Sequence, residues 1–369
     1  MDRIRLGIVG AAGRGIAYEI PASTDDRIEV TAVCDVSPEG RHRAQEAFDA
    51  AQSFSDFHDM LWEADLGAVL IATPKEHHVP QSVAALERGL HVLCEVPAAR
   101  SLEEAKELVR AVESSDGTFM LAENDVFRRA WMLVAELVAD GRLGDVYYAR
   151  SERITSGKEK MERSRWRRTW RVGRNGITYP THNLGPLLRW FPGDRIDRVA
   201  CSGSGHHYTD PRGEGYEQED SVVMMAKTEQ DHLIVHRQDI LSDRPACGYR
   251  FELQGTGGCF ESAAHSGDEH RISLQDEDAD GQWQSLTAFE AAYLPEMWRE
   301  LPAVASQTGR NGGDYLVFQS FVDAIESDSP PPIDVYEGLD ITLPGLLSEQ
   351  SIAADGEWVD VPDPREWSA

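Results

Sequence analysis

Short apolar runs alternate with longer amphipathic segments in the first third of the chain. The segments between the runs, such as 38–50 and 102–113, carry apolar residues at helical spacing among many charges. Short buried strands that alternate with helices form parallel sheets covered on both faces. We therefore predict a doubly wound α/β domain over residues 1–124. Its strands are predicted at Leu6–Val9, Val30–Cys34, Ala68–Ala72, Val92–Cys94 and Phe119–Ala122.

The pattern changes after a helix predicted at Phe127–Asp140. Apolar and polar residues then alternate in six segments, as they do in strands that bury one face. We predict an α+β domain with a mostly antiparallel sheet over residues 125–369, closed by helices near 314–327 and 338–350. The six strands are predicted at 146–155, 199–204, 221–227, 232–240, 249–255 and 258–261.

The composition adds a strong acidic excess to this picture. The 369 residues are 41% hydrophobic and 27% charged, with a formal net charge of −28, which disfavours nucleic acid as a partner. Because lysines are few and acidic residues plentiful, we expect a salt-adapted, halophilic protein. The chain has no apolar run of 18 residues and its first strand starts next to Met1, so we expect a cytoplasmic protein with no membrane partner. The five cysteines show no CxxC spacing, and no metal site is expected.

A glycine-rich turn follows the first predicted strand. Residues 10–15 read GAAGRG, which keeps the first and last glycines of the dinucleotide fingerprint GxGxxG and replaces the second by alanine. The second strand ends at Asp35, whose carboxylate would accept hydrogen bonds from a ribose and repel a 2′-phosphate. The pattern predicts a Rossmann domain that binds NAD in preference to NADP. The cofactor-binding residues predicted from this part are Gly10, Ala12, Gly13, Arg14, Gly15 and Asp35.

Two further strand ends lie on the same predicted edge of the sheet, where ligands of open α/β sheets bind. Thr73-Pro74 with His78 follows the third strand, and Glu95-Val96-Pro97 follows the fourth. These runs resemble the Gfo/Idh/MocA oxidoreductase family, which includes glucose–fructose oxidoreductase and inositol dehydrogenase. In that family the position of Val96 is ordinarily a lysine that assists proton transfer, and valine has no titratable group. We add Thr73, Pro74, His78, Glu95 and Val96 to the predicted cofactor site.

A set of separate motifs, in order along nearly the whole chain, is similar to the NAD-dependent glycosidases of glycoside hydrolase family 109. The known activity of that family is on α-N-acetylgalactosaminides, a substrate that we do not carry over to this chain. The resemblance implies a mechanism of transient oxidation at C3, elimination, water addition and re-reduction. It also implies that Asn124 contacts the cofactor. The matching motifs are Glu95-Val96-Pro97, Glu123-Asn124, Trp166-Arg167, Asn175-Gly176, Tyr179-Pro180-Thr181-His182, Arg244-Pro245, Gln254-Gly255-Thr256 and Gly312-Gly313-Asp314.

The run from Tyr179 to His182 holds the predicted catalytic residues. An imidazole with a reference pKa of about 6.5 can take up and return a proton at neutral pH. A phenol with a pKa of about 10 would rather donate a hydrogen bond to a developing oxyanion. The alternative is that Tyr179 and His182 only pack at a helix start, since positions three apart share a face. Two other functions stay open: a conventional NAD-dependent sugar dehydrogenase and a non-catalytic protein that binds sugar and NAD.

The departures from family 109 fall on the substrate side. Arg153 and Thr155 stand where the family has Tyr and His, Asn311 replaces a histidine, and only a shifted Tyr249 could replace a second tyrosine after Arg244-Pro245. Eight cations also cluster beside the predicted site: Lys158, Lys160, Arg163, Arg165, Arg167, Arg168, Arg171 and Arg174.

This cationic stretch suggests an anionic or otherwise modified glycoside as substrate, with Arg153, Arg167, Tyr179 and His182 as substrate-binding residues. A solvated or interface loop that pairs with the acidic surface is the alternative. The partners we expect are a small carbohydrate and further copies of the chain, which would form a homo-oligomer through the C-terminal sheet.

Overall fold

The computed structural model describes residues 3–162, 165–245, 248–265, 267–275 and 281–367. The chain divides into two compact units. The first unit contains residues 1–128, 300–339 and 363–369, and the second contains 129–299 and 340–362. We keep 1–124 and 125–369 as the proposed division of the chain into domains. Within the second of these, the segment 300–339 belongs to the first compact unit.

The first 128 residues alternate strictly between strands and helices. Three of the helices begin at side-chain caps: Ser37 accepts from the N–H of Gly40, Asp56 from His58 and Asp59, and Ser101 from Glu104. Short 3-10 helices lie at Gly15–Tyr18 and Lys75–His77. The elements are β1 (Ile4–Val9), α1 (Glu19–Ser23), β2 (Ile28–Cys34), α2 (Pro38–Ala47), β3 (Gln52–Phe54), α3 (Phe57–Glu63), β4 (Ala68–Ile71), α4 (His78–Leu86), β5 (His91–Cys94), α5 (Leu102–Glu113) and β6 (Phe119–Leu121).

These six strands form one parallel sheet in the order β3-β2-β1-β4-β5-β6. The four central strands are apolar along most of their length and buried, as parallel strands covered on both faces must be. The predicted Rossmann fold is confirmed. Because all strands run the same way, the loops that follow β1, β2, β4, β5 and β6 meet at one edge of the sheet.

The remaining elements form the second unit and complete the first. Short 3-10 helices lie at Leu286–Phe289, Ala303–Gln307, Gly309–Asn311 and Pro364–Trp367. The elements are α6 (Arg129–Ala139), β7 (Val146–Ile154), α7 (Lys158–Glu162), α8 (Arg165–Trp170), α9 (Thr181–Arg189), β8 (Ile196–Gly203), β9 (Ser221–Thr228), β10 (Leu233–Asp239), β11 (Gly248–Gly255), β12 (Gly258–Glu261), β13 (Arg271–Leu274), β14 (Gln284–Ser285), α10 (Glu290–Tyr293), α11 (Glu296–Arg299), α12 (Gly313–Glu326), α13 (Val335–Asp340), α14 (Leu343–Ala353) and β15 (Val359–Asp360).

The second unit is built on a nine-stranded sheet in the order β14-β13-β12-β11-β7-β10-β9-β8-β15. β7 and β10 are parallel, and every other neighbouring pair is antiparallel. The predicted α+β domain with a mostly antiparallel sheet is confirmed. An aromatic cluster anchors helices to this sheet: Trp131 of α6 and Trp190, which follows α9, lie 4.7 and 5.5 Å from the ring of Phe251.

One predicted helix is wrong in its extent. The segment predicted as a single helix over 338–350 is two helices, α13 and α14, separated at Ile341 and Thr342. Pro344 lies in the first turn of α14 and has no N–H to donate, so it starts a new helix instead of continuing the previous one. Within the part of the chain that the structure describes, no helix has both the length and the apolar character needed to cross a bilayer.

Candidate functional site

The glycine-rich loop follows β1 and is held close to the end of β4. Gly10 has a φ of +74°, and a β-carbon there would lie 2.6 Å from the carbonyl oxygen of Ala72. A β-carbon on Gly15 would lie 2.9 Å from the carbonyl oxygen of Gly10, so both positions require glycine. Gly13 differs because it is exposed and a β-carbon there would meet nothing closer than 3.7 Å. Its side of the loop is open to a ligand.

Ala12, which replaces the second fingerprint glycine, is accommodated by a glycine on α2. A β-carbon on Gly40 would lie only 2.4 Å from the methyl group of Ala12. The loop therefore has alanine where the fingerprint has glycine, and α2 has glycine opposite it. The loop and the helix can still pack closely together. The loss of the fingerprint glycine does not by itself argue against a dinucleotide.

Asp35 lies just past the end of β2 beside this loop. Its carboxylate accepts hydrogen bonds from the backbone N–H groups of Ala12 and Ser37, each at 2.9 Å. Each oxygen keeps a lone pair for a further donor, so the carboxylate is oriented and can still accept from a ribose hydroxyl. Arg41 donates to the backbone carbonyl of Asp35 at 2.7 Å.

Arg14 connects the loop to a buried acidic residue of α12. Its two Nη atoms donate to Asp314 at 2.6 and 2.7 Å, and its Nε donates to Glu95 at 2.7 Å. Tyr18 also donates to Glu95, at 2.7 Å. Burial opposes the charged forms, but the hydrogen bonds and charge of Arg14 lower the pKa of Asp314, and the carboxylates raise the pKa of Arg14.

Asn124 is part of the same network. Its Nδ2 donates to Asp314, which leaves Oδ1 buried and without a hydrogen-bond partner among the described residues. A buried amide oxygen without a donor is costly unless a ligand supplies one. This orphan acceptor, the open side at Gly13 and the oriented Asp35 fit a dinucleotide that lies along the loop edge.

The remaining predicted cofactor residues form the neighbouring loops. His78 is buried, with Nε2 at 2.9 Å from the carbonyl oxygen of Thr73 and Nδ1 at 3.0 Å from that of Pro97. Burial lowers the pKa of His78. Its ring therefore ties the segment at Thr73-Pro74 to the segment at Glu95-Val96, and Val96 is itself buried at the end of β5. The position of His78 suits holding these loops in place rather than proton transfer.

In the second unit, Tyr179 and His182 lie at the start of α9. His182 is buried, and its ring makes an edge-on contact with Tyr179 at 4.9 Å between centroids. The ring of Tyr249 on β11 is perpendicular to that of His182 at 5.9 Å. The shifted tyrosine considered from the sequence is thus beside the predicted catalytic residues; Ala246 and Cys247, which precede it, lie outside the described residues.

Helix α14 packs closely against the segment that leads to Tyr179. A β-carbon on Gly345 would lie 2.6 Å from the carbonyl oxygen of Ile177 and 2.7 Å from Cγ of Pro180. Ile177 donates its N–H to Ser348 at 2.8 Å. Two matched motif residues hold the preceding turn, Arg174 through Glu349 at 2.7 Å and Asn175 through Glu219 at 3.0 Å. These contacts hold the backbone of the segment that leads to Tyr179.

Arginines surround Tyr179. The guanidinium carbons of Arg171 and Arg153 lie 3.8 and 4.9 Å from its ring centroid, and Arg153 lies 5.3 Å from that of Tyr249. Burial, together with the charges of Arg153 and Arg167, lowers the pKa of Arg171 to about 10, and Tyr179 opposes this shift. Burial also lowers the pKa of Arg167, which lies over Trp166 at 4.4 Å. One buried cation, Arg171, and one half-buried cation, Arg153, thus lie against the ring of Tyr179, which also contacts His182.

The rest of the cationic stretch behaves differently. Lys158 pairs with Asp243 at 2.5 Å, and Arg168 pairs with Asp210 at 3.0 Å. Arg174 pairs with Glu349, and Arg163 lies outside the described residues. The contacts of Lys158, Arg168 and Arg174 therefore agree with the alternative interpretation, in which the loop pairs with the acidic surface. Arg153 and Arg171 do not follow it, since no carboxylate among the described residues pairs with either of them.

Sequence reasoning missed three residues of these sites or left them unassigned. Arg171 was one of eight clustered cations with nothing to single it out. Asp314 appeared only as a motif match, although a carboxylate after two glycines at a helix start was a usable signal. Gln238 gave no signal, because its place beside Arg153 follows from the pairing of β10 with β7.

Comparison with known families agrees with both halves of this description. The family model described as "Oxidoreductase family, NAD-binding Rossmann fold" matches residues 4–123. The model described as "Glycosyl hydrolase 109, C-terminal domain" matches residues 142–367, more than half of the chain. The chain belongs to glycosyl hydrolase family 109. Its N-terminal third is that of the Gfo/Idh/MocA oxidoreductases, as the motifs suggested.

Family 109 relatives align over almost the whole chain. A glycosyl hydrolase family 109 protein of Saccharopolyspora erythraea is 29% identical, and the alignment covers 98% of this chain and 83% of the relative. One from Stenotrophomonas maltophilia is 26% identical over 98% of this chain and 89% of the relative.

Among solved structures, a levoglucosan dehydrogenase in complex with NADH and levoglucosan superposes with a TM-score of 0.83 at 21% identity, covering 98% of this chain and 100% of that one. A scyllo-inositol dehydrogenase from Lactobacillus casei superposes with a TM-score of 0.73 at 20% identity, covering 98% of each chain. At these identities the likeness shows the fold. Family membership and the NAD-binding domain together identify an NAD-dependent enzyme that acts on sugars.

Proposed function

We propose that this family 109 enzyme hydrolyses a modified glycoside by transient oxidation of its sugar at C3. The ketone acidifies the C2 proton, a base removes that proton, and the C1–O bond breaks with its electron pair leaving on the aglycone oxygen. Water then adds across C1 and C2, and reduction of the ketone restores the sugar. Hydrolysis is the net reaction, with no net redox change.

The residues of the first unit suit the cofactor that this route needs. Asp35, the loop at Gly13 and Asn124 would hold NAD, which when bound supplies reversible two-electron oxidation of the sugar carbinol. Asn124 would offer its buried Oδ1 to an amide donor. Because Asp35 is held by two backbone N–H groups, it cannot turn away from a ribose, and a 2′-phosphate there would meet a fixed negative charge.

The single observation that carries the proposal is the contact between Tyr179 and His182. A buried imidazole that touches a phenol at 4.9 Å, both on the rigid start of α9, provides a proton acceptor and a hydrogen-bond donor within one site. We assign proton transfer at the sugar to His182. Tyr179 would donate to the developing oxyanion, with its ring held between α14 and the arginines.

Val96 supports the choice of His182. The side chain is buried just after β5 and has no titratable group. The position that is a general acid or base in ordinary sugar dehydrogenases therefore cannot transfer a proton here. A chain that keeps the cofactor loop but lacks this base must obtain proton transfer elsewhere. Among the residues predicted from the sequence, His182 and His78 have a suitable ordinary pKa, and both ring nitrogens of His78 are engaged by backbone carbonyls.

Exchange of the C2 hydrogen with solvent tests the proposal. The enzyme loaded with NAD⁺ is incubated with a glycoside in D₂O, and the sugar is examined for deuterium at C2. Deuterium at C2 without accumulation of NADH supports the proposal. NADH that accumulates in proportion to oxidised sugar identifies a conventional dehydrogenase, and binding of NAD and sugar without exchange identifies a non-catalytic binding protein.

Two variants connect the exchange to the assigned residues. His182→Gln keeps a polar side chain but removes the titratable ring, and we expect at least a 100-fold loss of C2 exchange, within the usual range of about 10²- to 10⁴-fold for a general base. Tyr179→Phe keeps the ring contact and loses the hydroxyl, and it should reduce the rate less. NAD affinity should be unchanged in both, and equal exchange rates in His182→Gln and the wild type would refute the assignment.

We also propose that the enzyme is a cytoplasmic, salt-adapted homo-oligomer that associates through the open face of the second unit's sheet. Val223 and Met225 on β9 are 40% and 45% exposed there, beside the ion pair of Arg150 with Glu152. Exposed apolar side chains next to buried charges are typical of an interface. Light scattering at high salt should give a multiple of the 41.0 kDa chain mass, and Met225→Asp should reduce it.

A further inference from the structure

Two arginines of the second unit, the buried Arg171 and the half-buried Arg153, have no anionic partner among the described residues. Arg171 is 8% exposed, and its Nε has no hydrogen-bond partner among the described residues. The same holds for Nε and Nη1 of Arg153. The groups that act most strongly on the pKa of Arg171, after burial itself, are Tyr179, Arg153, Arg167 and Tyr249, and none of them is a carboxylate.

Other cations of the same stretch do have a carboxylate partner among the described residues. The chain has 64 acidic residues against 36 basic ones, and Arg168 and Arg174 in the same stretch each have a carboxylate partner. Glu152, the neighbour of Arg153 in β7, points to the opposite face of the sheet, where it pairs with Arg150 at 2.7 Å. A buried cation without a partner is unfavourable, so a negative charge from outside the chain would stabilise Arg171 and the half-buried Arg153 beside it.

The side chains next to Arg153 on the sheet are neutral. Tyr249 and Gln238 are its register partners on β11 and β10. His236, two residues before Gln238, is fully buried with Nδ1 at 2.8 Å from Oγ of Ser151. Burial and the charge of Arg153 lower its pKa to about 3, so its ring is uncharged at neutral pH.

We infer that Arg153 and Arg171 form a carboxylate-binding subsite between the rings of Tyr179 and Tyr249, and that the substrates are glycosiduronates. A planar guanidinium matches a planar carboxylate through two parallel hydrogen bonds, and the aromatic rings hold both guanidinium groups in fixed planes. Because Tyr179 contacts both Arg171 and His182, a sugar bound here through its carboxylate has its ring beside the proton-transfer residue.

The inference rests on the proposed function only for the reaction, since binding of an acidic sugar needs no turnover. The sharpest ligand pair is a uronic acid and its methyl ester, which differ in charge and hardly in shape. We would measure binding of glucuronate and galacturonate, each against its methyl ester, to the NAD-loaded enzyme. The wild type should bind one acid at least tenfold more tightly than its ester, because hydrogen bonds to a charged group give about 10- to 100-fold.

Three variants locate the effect. Arg153→Met and Arg171→Met each remove one cation and keep an apolar stem against Tyr179, and both should abolish the preference for the acid. Lys158→Met is the matched control, because it removes a cation of the same stretch whose partner is the exposed Asp243, and it should keep the preference. A loss of preference in Lys158→Met equal to that in Arg153→Met would overturn the subsite in favour of general surface charge.

Cleavage of 4-nitrophenyl glycosiduronates and the matching neutral glycosides, as both anomers, separates this inference from the proposed function. Preferred cleavage of a uronide that depends on Arg153 supports both. Cleavage of neutral glycosides without preference, together with equal binding of acid and ester, overturns the subsite and leaves the hydrolytic function standing. Binding of the acid through Arg153 without any cleavage supports the subsite and refutes the function. The acid and ester comparison on the wild type decides the subsite even if a variant does not fold.

Discussion

Asp314→Asn tests the ionic network beneath the cofactor loop. Asp314 is fully buried and receives two hydrogen bonds from Arg14 and one from Asn124. Asparagine has almost the same shape but turns one of its two ends into a donor that faces a donor of Arg14. Breaking a buried ion pair costs about 3–5 kcal/mol. Since Arg14 keeps Glu95 and its side chain is 34% exposed, we expect the low end, about 3 kcal/mol.

The assay is thermal unfolding at constant high salt, combined with titration of NAD. A loss of about 3 kcal/mol should lower Tm by roughly 6–12 °C for a unit of this size. NAD affinity should fall about tenfold, because both Arg14 on the loop and the amide of Asn124 lose the carboxylate that orients them. Both changes should arise in the first unit, because it contains Arg14, Asn124 and Asp314.

The pH dependence follows from the lowered pKa of Asp314, whose ordinary value is 3.8. A carboxylate with a lowered folded-state pKa contributes its full stability above the ordinary value and loses it as the pH falls through the folded pKa. The difference between wild type and Asp314→Asn should therefore be constant from about pH 5 to pH 8 and shrink below about pH 4.

Asp323→Asn is the matched control for this prediction. Asp323 lies on the same helix and also pairs with an arginine, Arg27 at 2.7 Å, but its side chain is 63% exposed. Exposed ion pairs contribute about 0–1 kcal/mol, so this variant should unfold close to the wild type. If Asp314→Asn unfolds within a degree or so of Asp323→Asn and binds NAD equally well, the network does not stabilise the loop as we argue.

Three further predictions follow from single positions or from the surface. Gly345→Ala would place a β-carbon 2.7 Å from Pro180, so C2 exchange should fall with NAD affinity unchanged, whereas Gly215→Ala, which meets nothing within 4 Å, should behave as wild type. Asp35→Ser should weaken NAD binding and improve that of NADP, and an unchanged ratio of the two affinities would refute its contact with the ribose. Tm should rise by many degrees between about 0.2 and 2 M KCl because salt screens the net charge of −28, and a flat salt dependence would refute salt adaptation.

The fold could be predicted from the sequence because its strands leave a strong local pattern. Runs such as Ala68–Ile71 are buried on both faces and short, which separates them from helices. The return of residues 300–339 to the first unit leaves no such pattern, since it depends on contacts far apart in sequence. Asp314 reaches Arg14 across 300 positions, and only the folded chain brings the two together.

The site was predictable where chemistry is encoded in neighbouring residues. Tyr179 and His182 are three residues apart at the start of a helix, so local helical geometry brings their rings together. Arg171 was not separable from Lys158 by sequence, because both are cations in one basic stretch. The structure separates them through their partners, since Lys158 meets an exposed carboxylate and Arg171 meets aromatic rings.

The register of β7 and β11 explains how the substrate side differs from the rest of family 109. Arg153 stands where the family resemblance places a tyrosine, and Tyr249 is its direct partner on the adjacent strand. An aromatic ring is therefore still present beside His182, supplied by the neighbouring strand, and the vacated position holds a cation instead. Exchanging a phenol for a guanidinium at one strand position changes the charge of the site while leaving the ring that touches His182 in place. We therefore expect a change confined in this way to alter which sugar binds and to leave the groups assigned to the reaction unaltered.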